Sequence, residues 1–347
     1  MNAPPSKVRL GQLNTPLQPL DRLSEYFGGP RIWIKRDDMT GCATSGNKVR
    51  KLEYLFADAL AQGCDTIITS GGIQSNHCRA TAVLGAQLGV HVHLLLRADE
   101  APQSVGNLFI SQLVGAKKSH YSPSEFKYLR QHIDHWMAHY REQNRAPYCI
   151  PVGGSNGLGL WGYIDAVSEL AADFARLGMQ PDAIVHATGS GGTQAGLIVG
   201  CQIHEVLVPV VGFAVCDDAN YFTTKILSDI TDWKRQGGHH LTVRPEDIMT
   251  IDSYKGPSYG RCDPEVFELI RWLAHLEGII LDPVYTGKAF YGMLKEIQGG
   301  QFRDTANIVF IHTGGLFGLF AQQDRLEDAA EIYTKTHKNE VDLSWKI

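Results

Sequence analysis

Hydrophobic and polar positions along this chain follow two periods in turn, one of two residues and one near four. Residues 31–35, Arg-Ile-Trp-Ile-Lys, alternate as a strand does. From 49 to 62, Leu52, Leu55, Phe56, Ala59 and Leu60 recur at helical spacing, and Gly63 supplies a stop. A short strand at 66–69 then runs through Ser70-Gly71-Gly72 into a helix over 78–88, and Gly89 separates that helix from a strand over 90–96. This strand–helix–strand order predicts parallel sheets covered by helices. Helices are further predicted over 103–116, 122–144 and 160–177, and after the glycine-containing turns that end at 196 and 288, the first of these helices apolar. Strands are predicted at 148–151, 183–187, 208–215, 279–281 and 308–312. Residues 8–30 read as a lead-in with a short helix near 20–27, and 217–250 as helix plus loop. No repeat, low-complexity tract or linker interrupts the pattern.

Length and composition narrow the class. The 347 residues exceed one ordinary core and suit two lobes. Hydrophobic residues make up 44% and charged residues 20%, a globular balance. The formal net charge is −5 and neither sign clusters, so no electrostatic footprint for nucleic acid or membrane appears. No apolar run is long enough to span a bilayer, and the first residues lack the apolar core of a secretory signal. Cys42, Cys64, Cys78, Cys149, Cys201, Cys216 and Cys262 are odd in number and widely spaced, which points to a reducing cytoplasm rather than disulfides or zinc.

Three junctions carry candidate chemistry. At 45–53, Lys48 stands behind Ser45-Gly46-Asn47 and opens a helical pattern. Most lysines are solvated surface charges, but a lysine that carries an aldehyde cofactor covalently needs a phosphate site elsewhere in the chain, and glycine-rich turns downstream offer one. The turn Thr188-Gly189-Ser190-Gly191-Gly192-Thr193 joins a buried-type strand to an apolar helix, so its amides and hydroxyls can converge on one anion. Its third glycine falls at 196 and no acidic residue follows at the ribose-binding distance, which favours a single phosphate over a dinucleotide. A tight turn without ligand is the competing reading. At 70–77, Ser75, Asn76 and His77 begin a helix where a carboxylate can bind; a plain N-cap is the alternative. Tyr259 and Tyr285 lie in loops beside glycines, where either phenol could move a proton. His132, His135 and His139 share one helix face but lack accompanying carboxylates or cysteines, and read as a surface face; no metal is expected.

Taken in order, Trp33-Ile34-Lys35-Arg36-Asp37-Asp38, residues 45–53, Gly71-Gly72-Ile73-Gln74-Ser75-Asn76-His77, residues 150–156, 189–193, residues 281–288 and His312-Thr313-Gly314-Gly315 resemble the D-cysteine desulfhydrase and 1-aminocyclopropane-1-carboxylate (ACC) deaminase family. The likeness spans about residues 10–320 and is closest to the D-cysteine desulfhydrase branch. It implies the tryptophan-synthase-β-like fold (fold type II of the pyridoxal-phosphate enzymes): α/β, two open twisted, mainly parallel sheets with flanking helices. The implied division is a larger lobe from 1–52 and 164–347 and a smaller lobe from 53–163, with a homodimer as the assembly.

The resemblance also implies pyridoxal 5′-phosphate as cofactor and a small amino acid as substrate. Lys48 would bind the cofactor covalently and shuttle the Cα proton. Asn76 would meet the ring oxygen, and Ser75 the substrate carboxylate, with help from the Gln74 and His77 region. Thr188, Gly189, Ser190, Gly191, Gly192 and Thr193 would hold the phosphate, and Tyr259 and Tyr285 match the family's active-site tyrosines. The pyridine nitrogen would face a hydroxyl from Thr313 or Thr286. The ACC deaminase pattern resembles Tyr-Glu-Gly-Lys where this chain has Tyr285-Thr286-Gly287-Lys288, leucine at 313, and Gln-Thr in place of His77-Cys78. A carboxylate at the ring nitrogen would deepen the electron sink that ring opening needs, whereas a neutral threonine suffices for loss of a good β-leaving group. The expectation is therefore elimination of D-cysteine to pyruvate, ammonia and hydrogen sulfide. ACC deamination, L-cysteate sulfo-lyase activity, an inactive cofactor-binding relative and a nucleotide-binding protein without imine chemistry are the alternatives. Ala43-Thr44-Ser45 and residues 257–262 depart from the bacterial members' pattern.

Overall fold

A computed structural model describes residues 4–98, 102–237 and 241–328. The element order is β1 (Leu17–Pro19), α1 (Asp21–Phe27), β2 (Arg31–Lys35), α2 (Lys48–Ala61), β3 (Thr66–Gly72), α3 (Asn76–Leu88), β4 (His91–Arg97), α4 (Gly106–Leu113), β5 (Lys117–Tyr121), α5 (Pro123–Phe126), α6 (Leu129–Glu142), β6 (Pro147–Cys149) and α7 (Trp161–Leu177). It continues with β7 (Ala183–Thr188), α8 (Gly192–Ile203), β8 (Val210–Ala214), α9 (Ala219–Gly237), β9 (Met249–Ile251), α10 (Pro264–Glu277), α11 (Thr286–Gln298), β10 (Asn307–Ile311) and α12 (Leu316–Phe320).

Two sheets result. The six-stranded one has the order β1-β2-β10-β7-β8-β9 and is parallel except for β1. The four-stranded one, β5-β4-β3-β6, is parallel throughout. Parallel strands buried on both faces need continuous apolar runs, and Ile184, Val185, Ile308, Val309 and Phe310 supply them at zero exposure. β10 lies between β2 and β7, with Ile308 opposite both Ile32 and Ala183. Helix α2 serves both halves: Leu52, Leu55 and Phe56 pack in the core of the smaller sheet, and Tyr54 in that of the larger. The expected lobe boundaries after 52 and 163 fall inside α2 and α7. Residues 238–240 and 329–347 lie outside the described residues.

Two expectations are corrected, and one strand appears where none was expected. Residues 279–281 pair with no strand. Ile279 and Leu281 are buried and Ile280 is exposed, so alternation is real, but the Ile280 carbonyl accepts from His312 Nε2 at 3.0 Å instead of a ladder partner. Strand β5, over 117–121, carries Lys117, Lys118 and His120 at a polar sheet edge, with Tyr121 its single hydrophobic residue, and so shows no apolar alternation. The helix expected over 122–144 is two, α5 and α6, with Lys127 and Tyr128 between them.

Candidate active site

Lys48 is the first residue of α2, and two segments distant in the chain hold the start of that helix in place. Asn47 N–H donates to the Thr313 carbonyl at 3.1 Å, and Asn47 Nδ2 donates to Thr193 Oγ1 at 3.0 Å. The turns at 46 and 314 touch. A Cβ on Gly46 would stand 2.6 Å from the Thr313 oxygen, and one on Gly314 would stand 2.7 Å from the Gly46 Cα, with φ positive at both. Only glycine fits there. Thus the C-terminal ends of β7 and β10 converge on the lysine, where parallel α/β sheets build their sites.

Two adjoining spaces open at this point. A cavity of about 480 Å³ is lined by Lys48, Ser75, His77, Cys216, Tyr259 and Tyr285, among others. A cleft of about 20 Å³ beside it is lined by Lys48, Asn76, Thr188, Ser190, Thr193 and Thr313, with the backbone of 189–191. Lys48 is half-buried and makes no hydrogen bond among the described residues, and burial lowers its amine to about 8. A neutral amine within reach near neutral pH is what a covalent carrier requires.

The 188–193 turn is shaped for a small anion. Gly191 has φ +79°, and a Cβ on Gly192 would stand 2.5 Å from Ser155 Oγ and 2.9 Å from Lys51 Nζ. Lys51 is fully buried, with long contacts only, to Ser155 Oγ (3.3 Å) and the Gly153 carbonyl (3.4 Å). Burial, then the charge of Lys48, drives its amine well below the ordinary range. Thr188 Oγ1 and Asn76 Oδ1 are buried without partners among the described residues. Orphaned polar atoms in the cleft, a glycine cradle and an under-paired lysine amine behind it fit a phosphorylated, hydrogen-bonding ligand such as pyridoxal phosphate. Lys51 and Ser155 escaped the sequence reading. The signal for Lys51 was its i+3 spacing from Lys48, which puts both ammoniums on one helix face.

Ser75 does what an N-cap does: Cys78 N–H donates to its Oγ at 3.2 Å, and the same hydroxyl lines the cavity. His77 Nε2 lies 2.8 Å from Thr69 Oγ1, and that hydroxyl donates to the Ile150 carbonyl. The hydroxyl hydrogen is therefore engaged, so Nε2 carries the ring proton and Nδ1 is left a bare acceptor. Burial, with Lys48 and Lys51 adding to it, holds the imidazole well below its ordinary pKa and neutral. Tyr259 and Tyr285 meet hydroxyl to hydroxyl at 2.5 Å across the cavity wall. Burial raises both phenols, Tyr259 up to about 12 and Tyr285 well above its ordinary value, with the neighbouring phenol adding to the rise at Tyr285 and the shared hydrogen bond easing Tyr259.

Three expected residues, Gln74, Thr286 and Gly192, are not in the lining; Gly192 packs behind the turn against Ser155 and Lys51. The Gln74 side chain donates to the Val105 carbonyl (3.0 Å) and accepts from Asn107 N–H (3.0 Å), which ties the start of α4 to the 70–77 junction. Thr286 is fully buried and its hydroxyl donates to Asp282 Oδ1 at 2.8 Å. Both Asp282 oxygens are occupied, by the amides of 284–286 and by that hydroxyl, so this carboxylate caps α11. Thr313, by contrast, lines the cleft. Cys216, Arg97 and Lys255 also line the cavity and were not anticipated.

Comparison with known proteins agrees with this geometry. The family described as pyridoxal-phosphate dependent enzyme matches residues 8–314. The chain belongs to that family. It is 42% identical over 339 residues to the mitochondrial bifunctional D-cysteine desulfhydrase/ACC deaminase of Arabidopsis thaliana, covering 93% of this chain and 81% of the relative. It is 42% identical over 317 residues to D-cysteine desulfhydrase of Yersinia enterocolitica, covering 88% and 93%. A crystal structure of an ACC deaminase homologue superposes with a TM-score of 0.86 at 37% identity, covering 94% of this chain and 96% of that one. A fungal L-serine ammonia-lyase from Rhizomucor miehei, 15% identical with a TM-score of 0.64 over 93% and 100% of the chains, shares the fold. The protein is a pyridoxal-phosphate-dependent lyase of the D-cysteine desulfhydrase and ACC deaminase group, with the fold-type-II architecture. No helix among the described residues is long and apolar enough to cross a membrane.

Proposed function

We propose that the protein catalyses α,β-elimination of D-cysteine: D-cysteine and water give pyruvate, ammonia and hydrogen sulfide. The observation that carries this reading is the neutral lining of the cleft. Thr313 offers a hydroxyl there, no carboxylate lines it among the described residues, and the nearby Asp282 is fully engaged as a cap. The bound cofactor supplies the electron sink for Cα deprotonation, and a neutral hydroxyl at its ring nitrogen makes that sink modest. A modest sink suits departure of thiolate better than opening of a cyclopropane ring.

In this reading Lys48 holds the cofactor and takes the Cα proton with its amine. Ser75 Oγ, at the N-terminus of α3, donates to the substrate carboxylate where the helix dipole also favours negative charge. Asn76 reaches the ring oxygen, while Thr188, the 189–193 turn and Lys51 hold the phosphate. Tyr259 and Tyr285 share a hydroxyl–hydroxyl hydrogen bond in which either can donate, so the pair can deliver a proton to departing sulfur and be recharged from solvent. Gln74 acts at one remove by fixing the 70–77 junction, and Thr313 rather than Thr286 meets the ring nitrogen. The two-lobe division at 52/53 and 163/164, a homodimeric assembly and a cytoplasmic setting for the seven free thiols belong to the same proposal.

A turnover assay of the purified protein with D-cysteine, L-cysteine, L-cysteate and ACC, following 2-oxo acids together with sulfide and sulfite, tests it. Pyruvate and sulfide from D-cysteine alone is the expected outcome. 2-Oxobutyrate from ACC would overturn the argument from the neutral cleft. Sulfite from L-cysteate would replace the substrate.

A further inference from the structure

Lys288 is a buried cation to which none of the roles above refers. It lies in the first turn of α11, at zero exposure, and its ammonium donates to three carbonyls: Val215 (3.2 Å), Lys255 (2.5 Å) and Ser258 (3.1 Å). An ammonium has three N–H donors, so Lys288 is saturated by backbone oxygens. Buried lysines are ordinarily matched to a carboxylate. Three carbonyls compensate the charge less well than a carboxylate would, but they fix three points of backbone at once.

Those points are not arbitrary. Val215 follows β8 and precedes Cys216 of the cavity wall, while Lys255 and Ser258 flank the turn that delivers Tyr259. Three residues before Lys288, at the N-cap of its own helix, stands Tyr285. The 252–263 connection has little regular structure to hold it. Ser258 and Arg261 form an isolated bridge, Gly256 and Gly260 have φ of +68° and +81°, and Gln322 reaches the Gly260 carbonyl at 3.3 Å. A segment with a left-handed glycine on each side of Tyr259 keeps one conformation only where its carbonyls are tied down.

We propose that Lys288 is a positioning residue, which sets the Tyr259–Tyr285 hydroxyl pair by clamping the Tyr259 loop and the end of β8 onto the helix that begins at Tyr285. The inference rests on the role given above to the two tyrosines.

The test uses the full-length holoenzyme and its apo form, with Lys288→Met, Tyr259→Phe and the double variant. Amide hydrogen exchange of residues 255–262 in apo Lys288→Met should speed by about 10-fold or more while β10 and α2 keep their protection. With D-cysteine, kcat should fall about 30- to 100-fold with KM within about threefold, and the double variant should be no more than about threefold slower than the slower single one. The high-pH limb of kcat should shift in Lys288→Met as it does in Tyr259→Phe. Unchanged exchange, or losses that multiply in the double variant, would overturn the proposal. If Lys288→Met does not fold, Lys288→Gln keeps two donors without the charge, and wild-type exchange together with wild-type kcat there would overturn it equally. Wild-type turnover in Tyr259→Phe would count against the parent reading of the tyrosines, and the exchange measurement, which needs no turnover, still decides whether Lys288 holds the loop.

Discussion

Helix α2 carries three basic side chains within its first turn, Arg50 and Lys51 buried and Lys48 half-buried, and the two lysines are treated in the opposite way from the arginine. Arg50 donates to Asp37 through Nε (2.8 Å) and Nη2 (2.7 Å) and to Glu169 through Nη1 (2.7 Å) and Nη2 (3.0 Å). Tyr163 and Thr15 donate to the remaining lone pairs of Asp37, each at 2.7 Å. Burial opposes the guanidinium charge, but the two carboxylates outweigh it and raise the arginine well above its ordinary value. Lys48 and Lys51 face the other way, toward the 188–193 turn, and have no carboxylate on them; burial leaves both below their ordinary range. A fully paired buried charge fastens the helix to β2 and α7, whereas an under-paired one keeps its donors for a ligand. On one helix, pairing separates the scaffold from the site.

The strongest way to break this contrast is to remove each cation in turn. Lys48→Ala should lower turnover about 10³-fold or more and leave no borohydride-reducible pyridoxyl mass on the 48–51 segment, while the unfolding midpoint of the apoprotein stays near wild type. Retention of turnover would remove Lys48 from its proposed role. Arg50→Met should do the reverse, destabilising the fold by about 3–5 kcal/mol because Asp37 is left buried without a counter-ion and Glu169 keeps only the longer contact with Lys35 at 3.6 Å. Urea unfolding with an unchanged m-value reports it, and a loss below about 1 kcal/mol would dissolve the distinction drawn here. Lys51→Met should fall between them: the fold survives and the cofactor dissociation constant rises about 10- to 100-fold, as for one charge-assisted hydrogen bond. Equilibrium dialysis of the apoprotein against pyridoxal phosphate measures that constant.

The pH dependence sharpens the same comparison. For Asp37, burial acts to raise the carboxyl, but Arg50, with the hydrogen bonds of Tyr163 and Thr15, holds it below its ordinary 3.8. Its stabilising contribution is therefore intact above that value and is lost as the pH falls through the lower, folded value. Lys48 behaves with the opposite sign. Its amine is lowered from 10.5 to about 8, so apoprotein stability bears the full penalty of the charged form below about 8 and recovers between 8 and 10.5. Urea titrations of the wild type and Lys48→Met across both windows check the two slopes, and Lys48→Met should flatten only the alkaline one. The smallest effect is expected at Gln74. Because its side chain braces the start of α4 and does not line the cavity, Gln74→Ala should change KM for D-cysteine by less than about threefold and cost about 1 kcal/mol of stability. A tenfold rise in KM would return Gln74 to the substrate.

Periodicity and order of motifs were enough to read parallel sheets with flanking helices, the lysine at 48, the phosphate-type turn at 188–193 and the Ser75 junction, because each depends on residues adjacent in the chain. Reading failed where burial pattern and pairing diverge. Residues 279–281 alternate in exposure without joining a sheet, and β5 joins one without apolar alternation. It failed again where a side chain had a choice of partners. Nothing local tells Thr286, which bonds to Asp282, from Thr313, which lines the cleft, or Gln74, which turns to Val105, from Ser75 one residue later. For Lys51 the i+3 spacing from Lys48 gives a shared helix face but no role, which comes only from Gly192 and Ser155, more than 100 positions away, closing around it. Sequence by itself thus determined most of the elements and the family, and put Lys48 forward as the candidate amine, since those are set by local spacing and residue type. Which polar groups are consumed by the scaffold and which remain free for chemistry was decided only by the tertiary structure, because hydrogen-bond saturation depends on partners distant in the chain.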